Sequence, residues 1–147
     1  MAQFQIIVGS MLGGTEYIAE ACEEKLITLK HDVSLHLKPT FKQIISSNQI
    51  WLICTSTHGA GDLPDNIQEF VADLSNCDQD LSSTSFIIIG VGDSNYDTFC
   101  QAAKTIENIL ISNGCSKITD TLTLDMSEDI DPEECAQQWL DQNKDHF

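Results

Sequence analysis

The residues of this chain best arranged for chemistry are Gly9-Ser10-Met11-Leu12-Gly13-Gly14-Thr15-Glu16. They join an apolar run, Phe4 to Val8, to an amphipathic run, Tyr17 to Lys30. A glycine-rich turn from a strand into a helix aims unpaired backbone N–H groups, and the positive end of the helix dipole, at one point. Ser10 and Thr15 add hydroxyls. Such a loop holds a phosphate without a cationic side chain. None lies in it, and all seven cations of the chain are lysines. A Walker loop requires Gly-Lys-Ser/Thr, but Gly14 is followed by Thr15; the G-x-G-x-x-G dinucleotide fingerprint is absent. Taken alone, the stretch reads equally as a tight turn with no ligand.

Two further loops carry polar, glycine-rich and aromatic residues together. One is Ser56-Thr57-His58-Gly59-Ala60-Gly61-Asp62-Leu63-Pro64-Asp65-Asn66. The other is Gly92-Asp93-Ser94-Asn95-Tyr96-Asp97-Thr98-Phe99-Cys100. Asp62 and Asp93 read as turn or cap residues. Cys100 reads as a small apolar filler rather than a redox thiol. No G-x-S-x-G elbow surrounds Ser10 or Ser94, so hydrolysis by a serine nucleophile is not indicated.

The elements around these loops alternate. Strands are expected over Phe4–Val8, Asp32–Leu37, Gln49–Thr55, Ser85–Val91 and Ile118–Asp125. Helices are expected over Tyr17–Lys30, Ile67–Leu74, Phe99–Asn113 and from Asp131 onward, with one or two helical turns near Phe41–Ile45. Gly114 is a stop signal, and Asp131-Pro132-Glu133-Glu134 is a helix start. Trp51 and Trp139 are expected in the core. Strand and helix in alternation give an α/β fold, a doubly wound parallel sheet with helices on both faces. The runs from Phe4, Gln49 and Ser85 are apolar throughout, as strands buried on both faces are. The alternating runs near Val33 and Thr121 are edges. The five-stranded order is then 2-1-3-4-5, in one domain spanning residues 1–147. A ligand crevice falls at the carboxyl ends of strands 1, 3 and 4, where all three loops emerge.

Composition narrows the classes. There are 147 residues, and the net charge is −16. That charge repels phosphate backbones and anionic membranes, and suits docking onto a basic protein. No apolar run reaches membrane-span length, and no signal-peptide pattern opens the chain. The six cysteines show no C-x-x-C pair and the four histidines no metal-ligand spacing, as in a reduced, cytoplasmic protein without a metal.

Over essentially its whole length the chain resembles a short-chain flavodoxin, and within that family is most similar to the MioC group. The first loop resembles the flavodoxin phosphate loop, S/T-x-T-G-x-T: Ser10, Gly13 and Thr15 match, and Leu12 stands where many members have Thr. STHGAGDLPDN and GDSNYDTFC resemble the family's two flavin loops. The segment from the fifth strand to the last helix has no room for the insertion of long-chain members. The resemblance implies a flavodoxin-like fold and FMN as cofactor. It places Ser10, Met11, Leu12, Gly13, Gly14 and Thr15 at the phosphate, with Thr57, His58, Gly59, Ala60 and Gly61 on one side of the ring. Gly92, Asp93, Asn95, Tyr96, Phe99 and Cys100 lie on the other. By resemblance Tyr96 stacks on one ring face and His58, where Trp or Tyr is frequent, flanks the other. An imidazole there would make the potential respond to pH. The Gly59 carbonyl would turn to accept a hydrogen bond from flavin N5–H when one electron arrives, and backbone groups at Gly92, Asp93 and Cys100 would meet the pyrimidine edge. No catalytic residue is implied. The expected role is a monomeric one-electron carrier between a basic reductase of the flavodoxin or ferredoxin–NADP type and an acceptor protein such as biotin synthase. Two alternatives stay open: an FMN-dependent NAD(P)H or quinone reductase, and a regulator that kept the fold and lost the cofactor.

Overall fold

The computed structural model describes residues 1–11 and 13–147. Its sheet is parallel. β1 (Gln3–Gly9) lies between β2 (Asp32–His36) and β3 (Ile50–Ser56), and β4 (Ser85–Gly92) follows β3. On the outer edge of β4 lie two short strands, β5 (Ser116–Lys117) and β6 (Leu122–Asp125). The order 2-1-3-4-5 is therefore observed, with the fifth position shared by two strands.

The burial of the central strands explains their continuous hydrophobicity. Successive side chains point to opposite faces, and both faces are covered. On one face Ile7, Trp51, Ile53, Phe86 and Ile88 pack with Phe70 of α2 (Asp65–Ser75) and with Ile106 and Leu110 of α3 (Gln101–Ser112). On the other, Phe4, Ile6, Leu52, Cys54, Ile87 and Ile89 pack with Ile18 and Leu26 of α1 (Gly14–Thr28) and Leu140 of α4 (Pro132–Gln142). Along α1 the buried Thr15, Ile18, Ala19, Cys22 and Leu26 recur at helical spacing.

Two buried polar side chains interrupt the apolar face. Gln5 Nε2 donates to Gln49 Oε1 at 3.0 Å, Gln49 Nε2 donates to Gln3 Oε1 at 2.6 Å, and His36 Nε2 lies 2.7 Å from Gln5 Oε1. Each amide is satisfied by its neighbour across the sheet, which removes the penalty of burying it.

Some expected boundaries move. α1 begins at Gly14, three residues before Tyr17, because the loop itself supplies its first turn. α3 begins at Gln101 rather than Phe99, since Cys100 is left-handed at φ +54°. Of the strand expected over Ile118–Asp125 only Leu122–Asp125 forms, as β6, and β5 lies just before the expected range. From Lys117 to Leu122 the chain advances five residues while its partner advances three, Phe86 to Ile89, so two residues are extruded and pairing lapses. Trp51 is fully buried, whereas Trp139 is only partly so, with Ala136 and Leu140 forming the inner stripe of α4. The last helix starts as expected: Asp131 Oδ1 accepts the Glu134 N–H at 3.1 Å, with Pro132 in the first turn.

Candidate functional site

The first loop is built by close approach. Gly9 lies opposite Thr55 of β3, and a Cβ there would sit 2.4 Å from Thr55 Oγ1. Beyond it, the Ser10 N–H donates to Asn66 Oδ1 at 2.8 Å, and the Gly13 N–H donates to Ser10 Oγ at 3.1 Å. These two donors are used within the protein. Gly14 and Thr15 open α1, so their N–H groups have no intrahelical acceptor and face outward at the positive helix end. Thr15 is buried to 4% exposure in this first turn. Leu12 lies outside the described residues.

The second and third loops are tied to each other. The Ala102 N–H donates to Thr57 Oγ1 at 3.0 Å, and Thr98 Oγ1 donates to the Gly59 carbonyl at 3.4 Å. His58 and Asp62 pair through their backbones, N–H to carbonyl in both directions, at 2.8 and 2.7 Å. The turn between them carries Gly59 at φ +51°, a conformation that favours a residue without a Cβ. In the third loop Asp93 Oδ1 accepts the Asn95 N–H at 2.9 Å, a turn role for Asp93.

A fourth segment closes the site, and the sequence reading does not include it. The Met126 N–H donates to the Gly92 carbonyl at 2.7 Å. Asp125 Oδ1 accepts the Ser94 N–H at 3.1 Å, the Ser127 N–H at 3.0 Å and the Ser127 hydroxyl at 2.7 Å. The Ser127 side chain, then Ser94, hold the Asp125 carboxyl well below the usual carboxylate range. The carboxylate therefore stays charged and pins the end of β6 to the third loop.

Two adjoining cavities result. The first, about 350 Å³, is lined by Thr57, Gly59, Gly92, Asp93, Tyr96, Phe99 and Cys100, all sequence candidates, together with Thr98 and Met126. The second, about 470 Å³, is lined by the candidates Ser10, Met11, Gly14, Thr15, Thr57 and His58. Its other walls are Tyr17, Ile18, Ser56, Val91, Met126, Pro132 and Glu133. Thr57 and Met126 belong to both. Four of the described candidates line neither wall. The Gly13 N–H is turned to Ser10, Ala60 and Asn95 are exposed, and Gly61 backs onto Gln101, whose Cγ would lie 3.1 Å from a Cβ there. His58 and Tyr96 line different cavities rather than one.

The chemistry of these walls is restrained. Burial pushes the Cys100 thiol up to about 11, against a smaller opposing pull from Lys104. With 1% exposure it is a protonated filler, as its sequence position implies. No grouping of His, Cys, Asp and Glu among the described residues could hold a metal ion. No helix among them is long and apolar enough to cross a membrane. Tyr96, by contrast, is 66% exposed at the mouth, beside Met126 at 48%. The site thus offers helix N-terminal donors at one end and an exposed aromatic ring at the other. That combination fits a ligand with a phosphate and a flat apolar ring, and volumes of this size suit one cofactor.

The sequence profile of the family described as Flavodoxin matches residues 6–139, and the chain belongs to this family. Proteins of the family bind FMN and carry electrons. Among individual proteins, the chain is 43% identical over 137 residues to the Protein MioC homolog of Pasteurella multocida, covering 93% of this chain and 92% of that one. It is 39% identical over 140 residues to Protein MioC of Escherichia coli strain K12, covering 95% of each. Of solved structures, a cysteine-to-serine mutant of flavodoxin from Pseudomonas aeruginosa superposes with a TM-score of 0.90 at 27% identity, covering 98% of this chain and 97% of the other.

Proposed function

We propose that this chain holds one FMN across the two adjoining cavities and carries electrons between two protein partners. The observation that carries the reading is convergence. Three loops from the carboxyl ends of β1, β3 and β4 meet around cavities that share Thr57 and Met126. Gly14 and Thr15 would hold the phosphate through their N–H groups and the helix dipole. Gly59, Gly92, Tyr96 and Cys100, which wall one cavity, would hold the ring, with Tyr96 available to stack on it. FMN, when bound, accepts and releases electrons singly. The protein orients it, keeps its phosphate end fixed and leaves the mouth open to a partner.

The donor is a basic reductase of the flavodoxin or ferredoxin–NADP type. Its charge complements the acidic rim at Asp62, Asp93, Asp97 and Glu128 and speeds encounter. The acceptor is a second protein, and likeness to the MioC proteins makes biotin synthase the first to test. In this reading the chain transforms no small substrate. Flavin-stripped protein is titrated into FMN while the flavin fluorescence is followed. Saturable quenching at one equivalent is the expected result, followed by reduction through a purified reductase and NADPH. Absence of quenching at micromolar protein refutes the reading.

A further inference from the structure

We infer that Asn66 is a positioning residue for the phosphate loop, although it lines neither cavity. The inference rests on the FMN-binding reading above. Asn66 is the second residue of α2, and its half-buried side chain reaches away from that helix toward the ends of β1 and β2. All its hydrogen-bonding groups are engaged. Oδ1 accepts the Ser10 N–H at 2.8 Å, and Nδ2 donates to the carbonyls of Val8 at 2.8 Å and Leu37 at 2.9 Å. The partners fix the orientation of the amide, since an N–H requires the oxygen and two carbonyls require the nitrogen.

A relay follows. Asn66 fixes Ser10; Ser10 Oγ then accepts the Gly13 N–H at 3.1 Å, which sets the turn into α1. Only then do the outward N–H groups of Gly14 and Thr15 share one target. A second tie works in the same direction, as the Asp65 N–H approaches Met11 Sδ at 3.3 Å. The start of α2 thus braces the loop that opens α1. Oriented donors bind an anion without the cost of ordering them first, so losing the brace should weaken phosphate binding specifically. Truncating Asn66 also removes the side-chain partner of one N–H and two carbonyls.

FMN and riboflavin differ only by the phosphate, so their affinity ratio separates a loop effect from general damage. Fluorescence titration of wild type, Asn66→Ala and Asn66→Ser with both flavins gives that ratio. The expected result for Asn66→Ala is an FMN affinity lower by about tenfold or more, with riboflavin affinity within about threefold of wild type. Asn66→Ser, which keeps one hydrogen-bonding group, should fall between and stands in if the alanine variant folds poorly. Equal losses for the two flavins, or no loss for either, overturn the inference. Hydrogen exchange of the Ser10 and Gly13 amides, measured in flavin-stripped protein, is a readout that needs no cofactor. Faster exchange there in the variants, with the central strands unchanged, is expected, and unchanged exchange overturns the inference. Wild-type protein that binds neither flavin refutes the FMN reading instead, and the exchange measurement still decides on the brace.

Discussion

Replacing Tyr96 by Ala isolates what an exposed aromatic ring does at the cavity mouth. At 66% exposure the side chain contributes little to the folded core. Stability should therefore stay within about 0.5 kcal/mol of wild type. Its contribution appears only when a flat ligand covers it. A tyrosine buries about 200 Å² when enclosed, so about 130 Å² is open here, and one ring face is about half of that. At ~25 cal/mol per Å² the covered ~65 Å² is worth about 1.6 kcal/mol. Aromatic stacking adds about 1 kcal/mol. The sum, about 2.6 kcal/mol, corresponds to roughly an 80-fold rise in Kd for FMN. Flavin fluorescence titration of Tyr96→Ala measures it, with Tyr96→Trp expected to retain binding and urea unfolding as the control on stability. An alanine variant that binds FMN within about threefold of wild type would show that no ligand covers this ring.

Two further predictions concern the frame around the site. Gly9→Ala should destabilise the protein by about 1–3 kcal/mol by overpacking, because the new Cβ meets Thr55 Oγ1 at 2.4 Å and Ile67 Cγ2 at 3.1 Å. In urea unfolding the Gly9→Ala/Thr55→Ala double variant should recover part of that loss, and strict additivity would place the clash elsewhere. His31 Nδ1 accepts the Ala2 N–H at 2.9 Å, and burial, then the amino terminus, holds this imidazole below its ordinary pKa. The unfolded chain therefore takes the proton first, so stability from His31 is complete above about pH 6.5 and is lost as pH falls below it. The acidic surface works in the opposite sense as carboxylates neutralise. The comparison is accordingly between wild type and His31→Gln, whose difference in urea midpoint should shrink between about pH 8 and about pH 5.5. A constant difference would remove the imidazole from the account.

How much of the site was legible depended on whether chemistry lay close in sequence. The loop after β1 announced itself through Gly9, Gly13 and Gly14 beside Ser10 and Thr15, and the loops after β3 and β4 through His58, Tyr96 and their glycines. Met126 carried no such signal. It follows an alternating strand as a lone methionine, and it becomes a wall only because β6 pairs with β4 and hands its backbone N–H to Gly92. The rule that ligands gather at carboxyl ends of strands could have brought the end of that strand under suspicion. Tyr17, Pro132 and Glu133 escaped for the same reason, each reading as an ordinary helix residue. Asn66 read as the end of a loop, because its three partners lie 29 to 58 residues away.

By itself the sequence determined the architecture. Runs apolar throughout, such as Phe86 to Ile89, require cover on both faces, and runs that alternate, such as Val33 to Leu37, require one open face. With strand and helix in alternation and right-handed crossovers, few arrangements satisfy both demands. The tertiary structure alone decided register and reach. The pairing of Gln5 with Gln49 and His36, the division of the fifth strand by two extruded residues, and the placing of His58 and Tyr96 in separate cavities all follow from which residues come to lie opposite one another. Within the strands, a shift of one residue would send Gln5 and His36 to the other face, and periodicity cannot register that difference.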